Sequence, residues 1–478
     1  MSSPSPVVAI IGGGASGTLA AIHLLREAAA RNRPLRIALI DRLGRHGLGQ
    51  AYATTHPDHL LNTPAQRMSA LAGDSEHLLR WAAGAGLGAL VFLPRRAYGQ
   101  YLRATLSQAQ QQAQPLARVI SITSQVLAVR RTGHGRPLRL LMTHGSLDAD
   151  IAVLAIGSPP PVPPVPLPDS SRCIPDPWAP GALDAVADGS PVVILGTGLT
   201  MLDVAMSVTG ANPRTVVHAV SRHGLLPRAH HTPAAQGTGF WLPVLPADGE
   251  PLRLRYLLGH VRAAIRARPE HWQEVIDALR FHVPGLWQRL PDRDKQLFLR
   301  HLARYWEVHR HRPPPATASR IAVLRDAGRL CVMRGRVTDV AKVTGTGPGS
   351  PLRVRVEQGT ATAVINAGWL VNATGPGTDI TRGADPLIRD LLAQGLARPG
   401  PLGLGLDASP AGAVLDATGT AANLFTLGPP LRGLYYETTA IPEIRDQAAA
   451  LARHLLADRR PVAASSPASH YSAVHEVV

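Results

Sequence analysis

The sequence predicts an α/β protein built from two similar βα units. Residues 7–11 and 192–195 are apolar runs rich in β-branched side chains, which is typical of buried parallel strands. Each run ends in glycines that are followed at once by a helix-forming segment. Strand, tight turn and helix in this order are the beginning of a Rossmann-like unit. A long helical segment follows the second unit, so the predicted fold is two Rossmann-like domains with a helical insertion.

The first unit carries glycines at the spacing that a dinucleotide pyrophosphate requires. Gly12 allows the sharp turn, Gly14 allows the phosphates to approach the backbone, and Gly17 allows the helix to pack closely on the strand. A second apolar strand at 36–41 ends in Asp41, where a carboxylate that binds ribose is expected. The alternative is a glycine-rich turn in another kind of α/β protein.

The segment 44–71 is predicted to be a long loop, since it is dense in glycine, proline and polar residues. Its apolar residues Leu60, Leu61, Met68 and Leu71 favour an ordered loop that wraps the reactive ring of the cofactor. The alternative is a surface connection. Helices are predicted at 76–83 and 98–111, a buried strand at 150–157, and a stiff proline-rich connector at 159–168, for which an SH3-type ligand is the alternative.

The second unit is a looser version of the first. Gly196 and Gly198 follow the strand, but Met201 occupies the third glycine position, so helix and strand are expected to lie farther apart. The next strand ends near Arg222 instead of an acid. Arg222 suits the 2′-phosphate of NADPH, and stacking of the same arginine on adenine with NADH bound is the alternative.

The second half of the chain is predicted to contain helices and two returning strands. Apolar spacing indicates helices over 260–312, whose basic end 309–312 either binds an anion or completes the helix dipole. A strand at 368–376 resembles the earlier one at 150–157. Thr438 or Thr439 is predicted to cap a helix that ends at Leu456, with Pro442 in its first turn.

Composition limits the classes of function. The net charge of +16, from 49 Lys and Arg against 33 Asp and Glu, accompanies only 4% aromatic residues, with no basic block and no zinc-ligand spacing. We therefore expect a surface that attracts anionic cofactors and substrates, with no nucleic-acid partner and no metal site. Cys173 and Cys331 form no CxxC motif, which argues against dithiol chemistry and for a cytoplasmic location. The glycine-broken apolar run 7–25 is interpreted as strand and helix, so no membrane association is expected.

Taken together, these motifs resemble the two-dinucleotide-domain FAD/NAD(P)-binding oxidoreductases, which are related to class B flavin monooxygenases. The closest-looking branch contains FAD-dependent urate hydroxylases and flavoenzymes that N-oxidise aspartate to nitrosuccinate. The likeness covers nearly the whole chain. It rests on residues 12–17, 49–52, 59–62, 68–69, 196–203, 286–291, 306–312 and 437–445.

The resemblance implies FAD on the first unit, with Asp41 on the adenosine ribose, and NADH or NADPH on the second. The segments 52–69 and 428–439 would surround the isoalloxazine ring. The residues predicted to bind cofactor are Gly12, Gly14, Ser16, Gly17, Asp41, Tyr52, Leu61, Asn62, Met68, Ser69, Gly157, Gly196, Gly198, Leu199, Thr200, Arg222, Gly375, Gly428, Glu437, Thr438 and Thr439. The domains predicted on this basis are 1–165 and 371–460 for FAD, 166–240 and 316–370 for NAD(P)H, a helical insertion at 241–315, and a mobile tail at 461–478.

The substrate that the resemblance implies is urate, which O₂ and NAD(P)H would convert to 5-hydroxyisourate. The chain lacks the FxGxxxHxxx(Y/F)P signature of Baeyer-Villiger enzymes, so ketone oxygenation is less supported than hydroxylation. Arg67, Arg228, His230 and Arg432 adjoin the cofactor segments and are candidates for binding an anionic substrate. The alternatives are N-hydroxylation of an amine or amino acid, and a flavoprotein with a redox-sensing or binding role. The residues indicate no catalytic base and no oligomeric state.

Overall fold

Two parallel β-sheets form the framework of the protein. The computed structural model describes residues 5–132, 137–231, 252–343, 351–383 and 385–457. The strands are β1 Val7–Ile11, β2 Leu35–Asp41, β3 Ala117–Thr123, β4 Val126–Arg131, β5 Leu138–Met142, β6 Ser146–Ala149, β7 Ile151–Leu154, β8 Cys173–Ile174, β9 Val192–Leu195, β10 Val217–Ser221, β11 Leu330–Arg334, β12 Arg336–Lys342, β13 Leu352–Gln358, β14 Ala361–Ala367, β15 Trp369–Asn372, β16 Ala413–Leu415 and β17 Ala421–Thr426.

Some helices cover these sheets, and others form a separate cluster. They are α1 Ala15–Ala30, α2 His77–Gly84, α3 Arg95–Ala113, α4 Leu199–Ala211, α5 Leu254–Ala267, α6 Trp272–Arg289, α7 Asp292–Leu297, α8 Ala303–Arg310, α9 Pro315–Asp326, α10 Pro386–Ala393, α11 Arg432–Tyr435 and α12 Ile441–Leu456. A π-helical turn, Phe298–Leu302, joins α7 to α8.

The first sheet has the strand order β16-β17-β7-β1-β2-β3, and only the β16–β17 pair is antiparallel. Its central strand β1 is buried along its whole length. One face of this sheet packs against α1, α3 and α12, and the other against the small antiparallel sheet β4-β5-β6 and α10. Burial on both faces is the reason for the unbroken apolar run at 7–11.

The second sheet repeats this arrangement with the order β11-β10-β9-β15-β8, all parallel. Helices α4 and α9 cover one face, and the antiparallel sheet β12-β13-β14 covers the other. The first sheet takes its strands from both ends of the chain, while the second takes its strands from the middle. The predicted α/β fold class is confirmed. The predicted domain boundaries stay predictions, and the tail 461–478 lies outside the described residues.

The helical insertion joins the second sheet to the last part of the first. Helices α5 to α8 pack around Trp287, and their apolar cluster also includes Leu404 and Tyr436 from the returning chain. The helical pattern predicted for 260–312 is therefore present, and helices extend on both sides of it, from α5 to α9. The two helices predicted in the first unit are α2 and α3, each within a few residues of the expected ends.

The predicted cap of the last helix is wrong. Helix α12 begins after Ala440, whose extended backbone makes it the N-cap, and no side chain caps the helix. The hydroxyl of Thr438 instead donates to the carbonyl of Gly428 at 3.1 Å, while Thr439 is exposed. Pro442 does lie in the first turn, and the helix does end at Leu456. The uncapped N-terminus keeps its backbone N–H groups available to a ligand.

Candidate active site

The first glycine turn has a geometry that only glycine allows. Gly12 has φ +112°, and a Cβ on it would lie 2.3 Å from the carbonyl oxygen of Ala155. A Cβ on Gly17 would lie 1.9 Å from the carbonyl oxygen of Gly12, so helix α1 packs directly on the turn. The N-cap is Gly14, with no side-chain cap and no acid in the first helical turn. Free N–H groups at a helix N-terminus fit a pyrophosphate.

Asp41 and the returning chain lie beside this turn. The Asp41 carboxylate accepts the N–H of Gly13 at 3.2 Å and those of Leu43 and Arg45 at 2.9 and 3.0 Å, which orients it at the end of β2. A Cβ on Gly428 would lie 3.0 Å from the hydroxyl oxygen of Ser16. The first glycine turn and the chain at Gly428 are therefore neighbours in the structure, as the prediction that both contact FAD requires.

The second glycine turn has nearly the same backbone geometry as the first. Gly196 has φ +107°, and a Cβ on it would lie 2.4 Å from the carbonyl oxygen of Ala373. Gly198 is the N-cap of α4, again without a side-chain cap or an acid in the first turn. Met201 is fully buried at the position equivalent to Gly17. Gly157 and Gly375 follow the two packing strands with φ +70° and +87°, each with open space where a side chain would be.

A cluster of basic residues surrounds the second turn. Arg304, from the helical insertion, donates to the hydroxyl of Thr197 at 3.0 Å and to the carbonyl of Leu225 at 2.9 Å. Burial lowers the pKa of His223, and the nearby charges of Arg222, Arg304 and Arg334 lower it further. Sequence reasoning identified Arg222 but missed Arg304 and Arg334, which are distant in sequence.

The predicted loop of the first unit is ordered and largely irregular, with a short 3₁₀ helix at Ala65–Arg67. Leu61 and Met68 are 3% exposed, and the ring of Tyr52 lies 4.8 Å from that of Tyr98. The hydroxyl of Ser69 donates to the carbonyl of Asp74 at 2.5 Å, so it serves the loop itself. The two other predicted positions, Asn62 and Thr200, lie in the loop and in the first turn of α4 respectively.

Backbone strain marks the segment before α12. Tyr436 has φ +56° and ψ −57°, and the N–H of Glu437 reaches back to the carbonyl of Tyr435 at 2.7 Å. This combination is a γ-turn of the rare, strained type. The ring of Tyr436 packs 4.8 Å from Trp287 and 5.1 Å from Phe298, which holds the turn in place.

Both oxygens of the Glu437 carboxylate are held by the helical insertion. Trp306 donates its ring N–H to one oxygen at 2.8 Å, and Arg310 lies 3.3 Å from the other. Burial raises the pKa of Glu437, but the neighbouring Arg310 and the Trp306 hydrogen bond outweigh burial, so the pKa lies below its usual value. The carboxylate therefore stays charged and connects α8 to the segment predicted to border the flavin.

The four predicted anion-binding residues lie in different environments. Arg67 is half-exposed and 3.7 Å from Asp277, and Arg228 is exposed. Arg432 lies 3.8 Å from Glu307, with its guanidinium 5.0 Å from the ring centre of Tyr436.

The fourth candidate, His230, contacts the predicted loop. Its Nε2 donates to the carbonyl of Asn62 at 3.0 Å. Burial, more than the nearby Arg312, lowers its pKa to about 4. His230 is therefore neutral near pH 7 and contributes no positive charge to an anion site.

Buried arginines that sequence reasoning did not single out lie in the same region. Arg280, Arg310 and Arg312 are 4%, 8% and 3% exposed. Arg280 pairs with Glu443 at 2.5 Å, and Arg312 pairs with Asp277 at 2.5 Å. With Arg67, Arg304 and Arg432, six arginines among the described residues pair with the four carboxylates of Asp277, Glu307, Glu437 and Glu443. Their basic motif at 309–312 was visible in the sequence, but its burial against the last segment was not.

Several buried polar atoms of this arginine cluster have no partner among the described residues. They are Nε of Arg310, Nε and Nη1 of Arg312, Nε of Arg432, and Oε2 of Glu443. Burial is the main cause that lowers the pKa of Arg310. The charge of Glu443 is among those that oppose this effect, so the two groups interact electrostatically. An unpaired buried donor or acceptor costs free energy, so these atoms are candidates for contacts with a polar ligand.

The comparisons with known proteins agree with this geometry. Residues 9–159 match a protein-family profile described as FAD-NAD(P)-binding. The match covers less than half of the chain, and the fold as a whole is similar to that of flavoproteins with two dinucleotide-binding domains, one for FAD and one for NAD(P). Across the described residues, no helix has the length and apolar character needed to cross a bilayer, and no His, Cys, Asp and Glu groups are placed to hold a metal ion.

Particular proteins resemble the chain to different extents. The uncharacterized protein YdhS of Escherichia coli is 26% identical over 259 residues, which is 46% of each chain, so the chain matches about half the length of that relative. An ornithine hydroxylase from Pseudomonas aeruginosa has a TM-score of 0.62 at 14% identity, covering 95% of this chain and 99% of its own.

Two further solved structures give similar values. L-lysine 6-monooxygenase from Pseudomonas syringae has a TM-score of 0.63 at 14% identity, covering 95% of this chain and 99% of its own. The FAD-bound cadaverine monooxygenase of Erwinia amylovora has a TM-score of 0.62 at 14% identity, covering 98% and 100%. At these identities the likeness shows a shared fold.

Proposed function

We propose that the protein is an FAD-dependent monooxygenase that uses NAD(P)H and O₂ to N-hydroxylate a small amino acid. Bound FAD, once reduced, would supply activation of O₂ and transfer of one oxygen atom. The balanced reaction converts R–NH₂, O₂, NAD(P)H and H⁺ into R–NHOH, NAD(P)⁺ and H₂O. A cytoplasmic location is part of the same proposal.

The observation that carries this proposal is the set of unpaired buried atoms in the arginine cluster. The free N–H groups of Arg310 and Arg312 suit a carboxylate, and the free oxygen of Glu443 suits an amino group. An amino acid presents both groups, whereas a diamine such as cadaverine has no carboxylate for the arginines. The named structural relatives include hydroxylases of ornithine and lysine, which supports an amino-acid substrate.

Urate is the second candidate, because it is a small anion that the same arginines would accept. Urate offers no amino group to Glu443, and the relatives named above act on amines. We therefore rank hydroxylation of urate second, after N-hydroxylation. A redox-sensing flavoprotein would oxidise NAD(P)H without inserting oxygen. The basic residues Arg222, Arg304 and Arg334 support NADPH over NADH, since a 2′-phosphate adds negative charge at that place.

The test is a substrate screen of the FAD-loaded protein with NADPH and with NADH. Amino acids with neutral, acidic and basic side chains, cadaverine and urate are compared for stimulated coenzyme oxidation, hydroxylamine formation and release of hydrogen peroxide. We expect one amino acid to give hydroxylamine in proportion to NADPH consumed. Formation of 5-hydroxyisourate would instead select urate, and peroxide as the only product with every compound would contradict the monooxygenase proposal.

Arg312→Lys tests the arginine cluster. Lysine keeps the charge beside Asp277 but loses the planar set of N–H donors, so KM for the substrate should rise at least ~10-fold, about 1.4 kcal/mol. Arg329→Lys is the matched control, because Arg329 also has a buried unpartnered Nε but lies against the end of α4. Equal KM values in the two variants would remove Arg312 from the substrate site.

A further inference from the structure

Two sequence motifs of the separate units, 59–62 and 196–203, meet in the structure. Asp203 lies on α4, five residues after the N-cap glycine of the second turn, and its side chain is 6% exposed. Its carboxylate oxygen Oδ2 lies 2.7 Å from Nη2 of Arg95, which makes an ion pair without the geometry of a hydrogen bond. Arg95 begins α3 of the first unit, so a buried ion pair joins the two units.

His59 makes a second connection between the same elements. Its Nε2 lies 3.2 Å from the carbonyl oxygen of Asp203 and 3.0 Å from the hydroxyl of Ser207. Because a carbonyl only accepts, Nε2 carries the proton, and Nδ1 accepts the hydroxyl of Thr54 at 2.7 Å. Burial lowers the pKa of His59, more than nearby Asp203 raises it, which keeps the ring neutral and fixes this tautomer near pH 7.

Arg95 also holds the loop that carries His59. Its backbone N–H donates to the carbonyl of His59 at 2.8 Å, and its Nε donates to the carbonyl of Leu60 at 3.1 Å. Trp178 covers the group, with its ring 5.6 Å from the guanidinium of Arg95 and 5.8 Å from the ring of His59. One arginine therefore ties together the loop, helix α3 and helix α4.

The proposed hydroxylation and the two glycine turns do not explain this group. His59, Arg95 and Asp203 are not part of either glycine turn, and the polar contacts described for them are with one another, with α4 and with the loop. A buried ion pair is a poor source of stability, because desolvation of its charges offsets their attraction. Such a pair instead favours one arrangement of the two elements that carry the charges, since any other arrangement would leave a charge buried without its partner.

We infer that His59, Arg95 and Asp203 form an interdomain linkage that holds α4, with its NAD(P)-binding turn, against the loop 54–62 of the first unit and thereby positions the two cofactors for hydride transfer. The inference rests on the proposed reduction of FAD by NAD(P)H. In that step the hydride and one solvent proton convert FAD to FADH₂ while NAD(P)H becomes NAD(P)⁺. The three residues are positioning residues, since they act through α4 and the loop.

Anaerobic stopped-flow reduction of the FAD-loaded protein by NADPH tests the linkage without any substrate. Asp203→Asn keeps the size of the side chain but removes the charge that pairs with Arg95. We expect reduction of the flavin to slow at least ~10-fold with FAD content unchanged, because misplacement of reactants by about 1 Å has effects of this size. Ser207→Ala keeps the ion pair but removes the hydrogen bonds of the Ser207 hydroxyl to His59 and to the carbonyl of Asp203, so it should slow reduction less.

Asp188→Asn is the matched control. Asp188 also pairs with an arginine, Arg172, and accepts the ring N–H of Trp369 at 3.1 Å, but all three residues belong to the second unit. It should leave the rate of flavin reduction unchanged. Reduction of the Asp203→Asn and Ser207→Ala variants at the wild-type rate would overturn the inference, even if their melting temperatures fall.

Hydrogen exchange gives a readout that does not require turnover. Adding NADP⁺ to the wild-type protein should slow amide exchange in 199–207 and also in 54–62, whereas in Asp203→Asn only 199–207 should respond. Protection of 54–62 in both proteins would contradict the linkage. If NADPH fails to reduce the wild-type flavin, the proposed function fails, and hydrogen exchange still decides the linkage.

Discussion

His23 is a neutral base enclosed in the core of the first unit. It is 8% exposed on α1, and its ring Nε2 donates to the carbonyl of Ala70 at 3.1 Å. Burial lowers its pKa from 6.5 to about 4, although the hydrogen bond to Ala70 opposes the shift. The unfolded chain therefore binds a proton at a higher pH than the folded chain does.

This difference predicts how stability depends on pH. Between about pH 6.5 and pH 4 the unfolded state gains a proton that the folded state lacks, so His23 should cost up to about 3 kcal/mol as the pH falls. His23→Gln keeps a donor for Ala70 and should flatten the fall of the urea midpoint over this range. The exposed His144→Gln is the control, and an unchanged pH curve for His23→Gln would show that His23 is not the group responsible.

At the same scale, the arginines show why a basic composition is not by itself a site. Arg228 is exposed, whereas Arg312 is almost fully buried with two unpartnered nitrogens. The same residue type is thus solvated in one place, and in the other it is the residue that we propose to bind the substrate. Burial, which depends on distant parts of the chain, separates the two roles.

The two βα turns have similar geometry but differ in the residue at the third glycine position. At Gly17 a Cβ would be 1.9 Å from the Gly12 carbonyl, while Met201 occupies the equivalent position and is fully buried. Gly17→Ala should therefore displace α1 and weaken FAD binding at least ~10-fold, about 1.4 kcal/mol. The ratio of flavin absorbance to protein absorbance after gel filtration measures this loss.

Met201→Ala is the matched substitution in the second unit. It should keep FAD bound but lower stability by about 2–5 kcal/mol, because a buried side chain is replaced by a cavity. A Gly17→Ala protein that retains a full complement of FAD would show that close packing of α1 is not needed for the cofactor.

The whole molecule is held together where the insertion meets the returning chain. Arg280 on α6 pairs with Glu443 in the first turn of α12, and Arg310 on α8 pairs with Glu437 in the segment before it. These pairs connect residues that are more than 120 positions apart in sequence. The insertion is therefore joined by ion pairs to α12 and to the segment before it.

Breaking one of these pairs should be costlier than removing it entirely. Arg280→Met leaves the Glu443 carboxylate without its partner and should lower stability by about 3–5 kcal/mol. The double variant Arg280→Met with Glu443→Gln should recover most of this loss. Urea unfolding followed by tryptophan fluorescence provides the comparison, and an equally unstable double variant would contradict the ion-pair explanation.

Much of the framework could be predicted from the sequence because its signals are local. Apolar runs of strand length, glycines at fixed spacing and the helices that follow them depend on neighbouring residues, and they gave the α/β class and the two units. The cap of α12 was mispredicted, because tertiary packing lets the hydroxyl of Thr438 donate a hydrogen bond to the carbonyl of Gly428 instead. The domain boundaries and cofactor residues remain predictions.

By itself, then, the sequence determined two glycine turns, each between a strand and a helix, and a basic helical insertion. Only the tertiary structure decided that Arg310 and Arg312 are buried against the segment before α12, and that His59 meets Asp203 across the units. The physical reason is that ion pairs and burial depend on which distant segments pack together. A one-dimensional pattern reports backbone preference and periodicity, but not which charges lose their water.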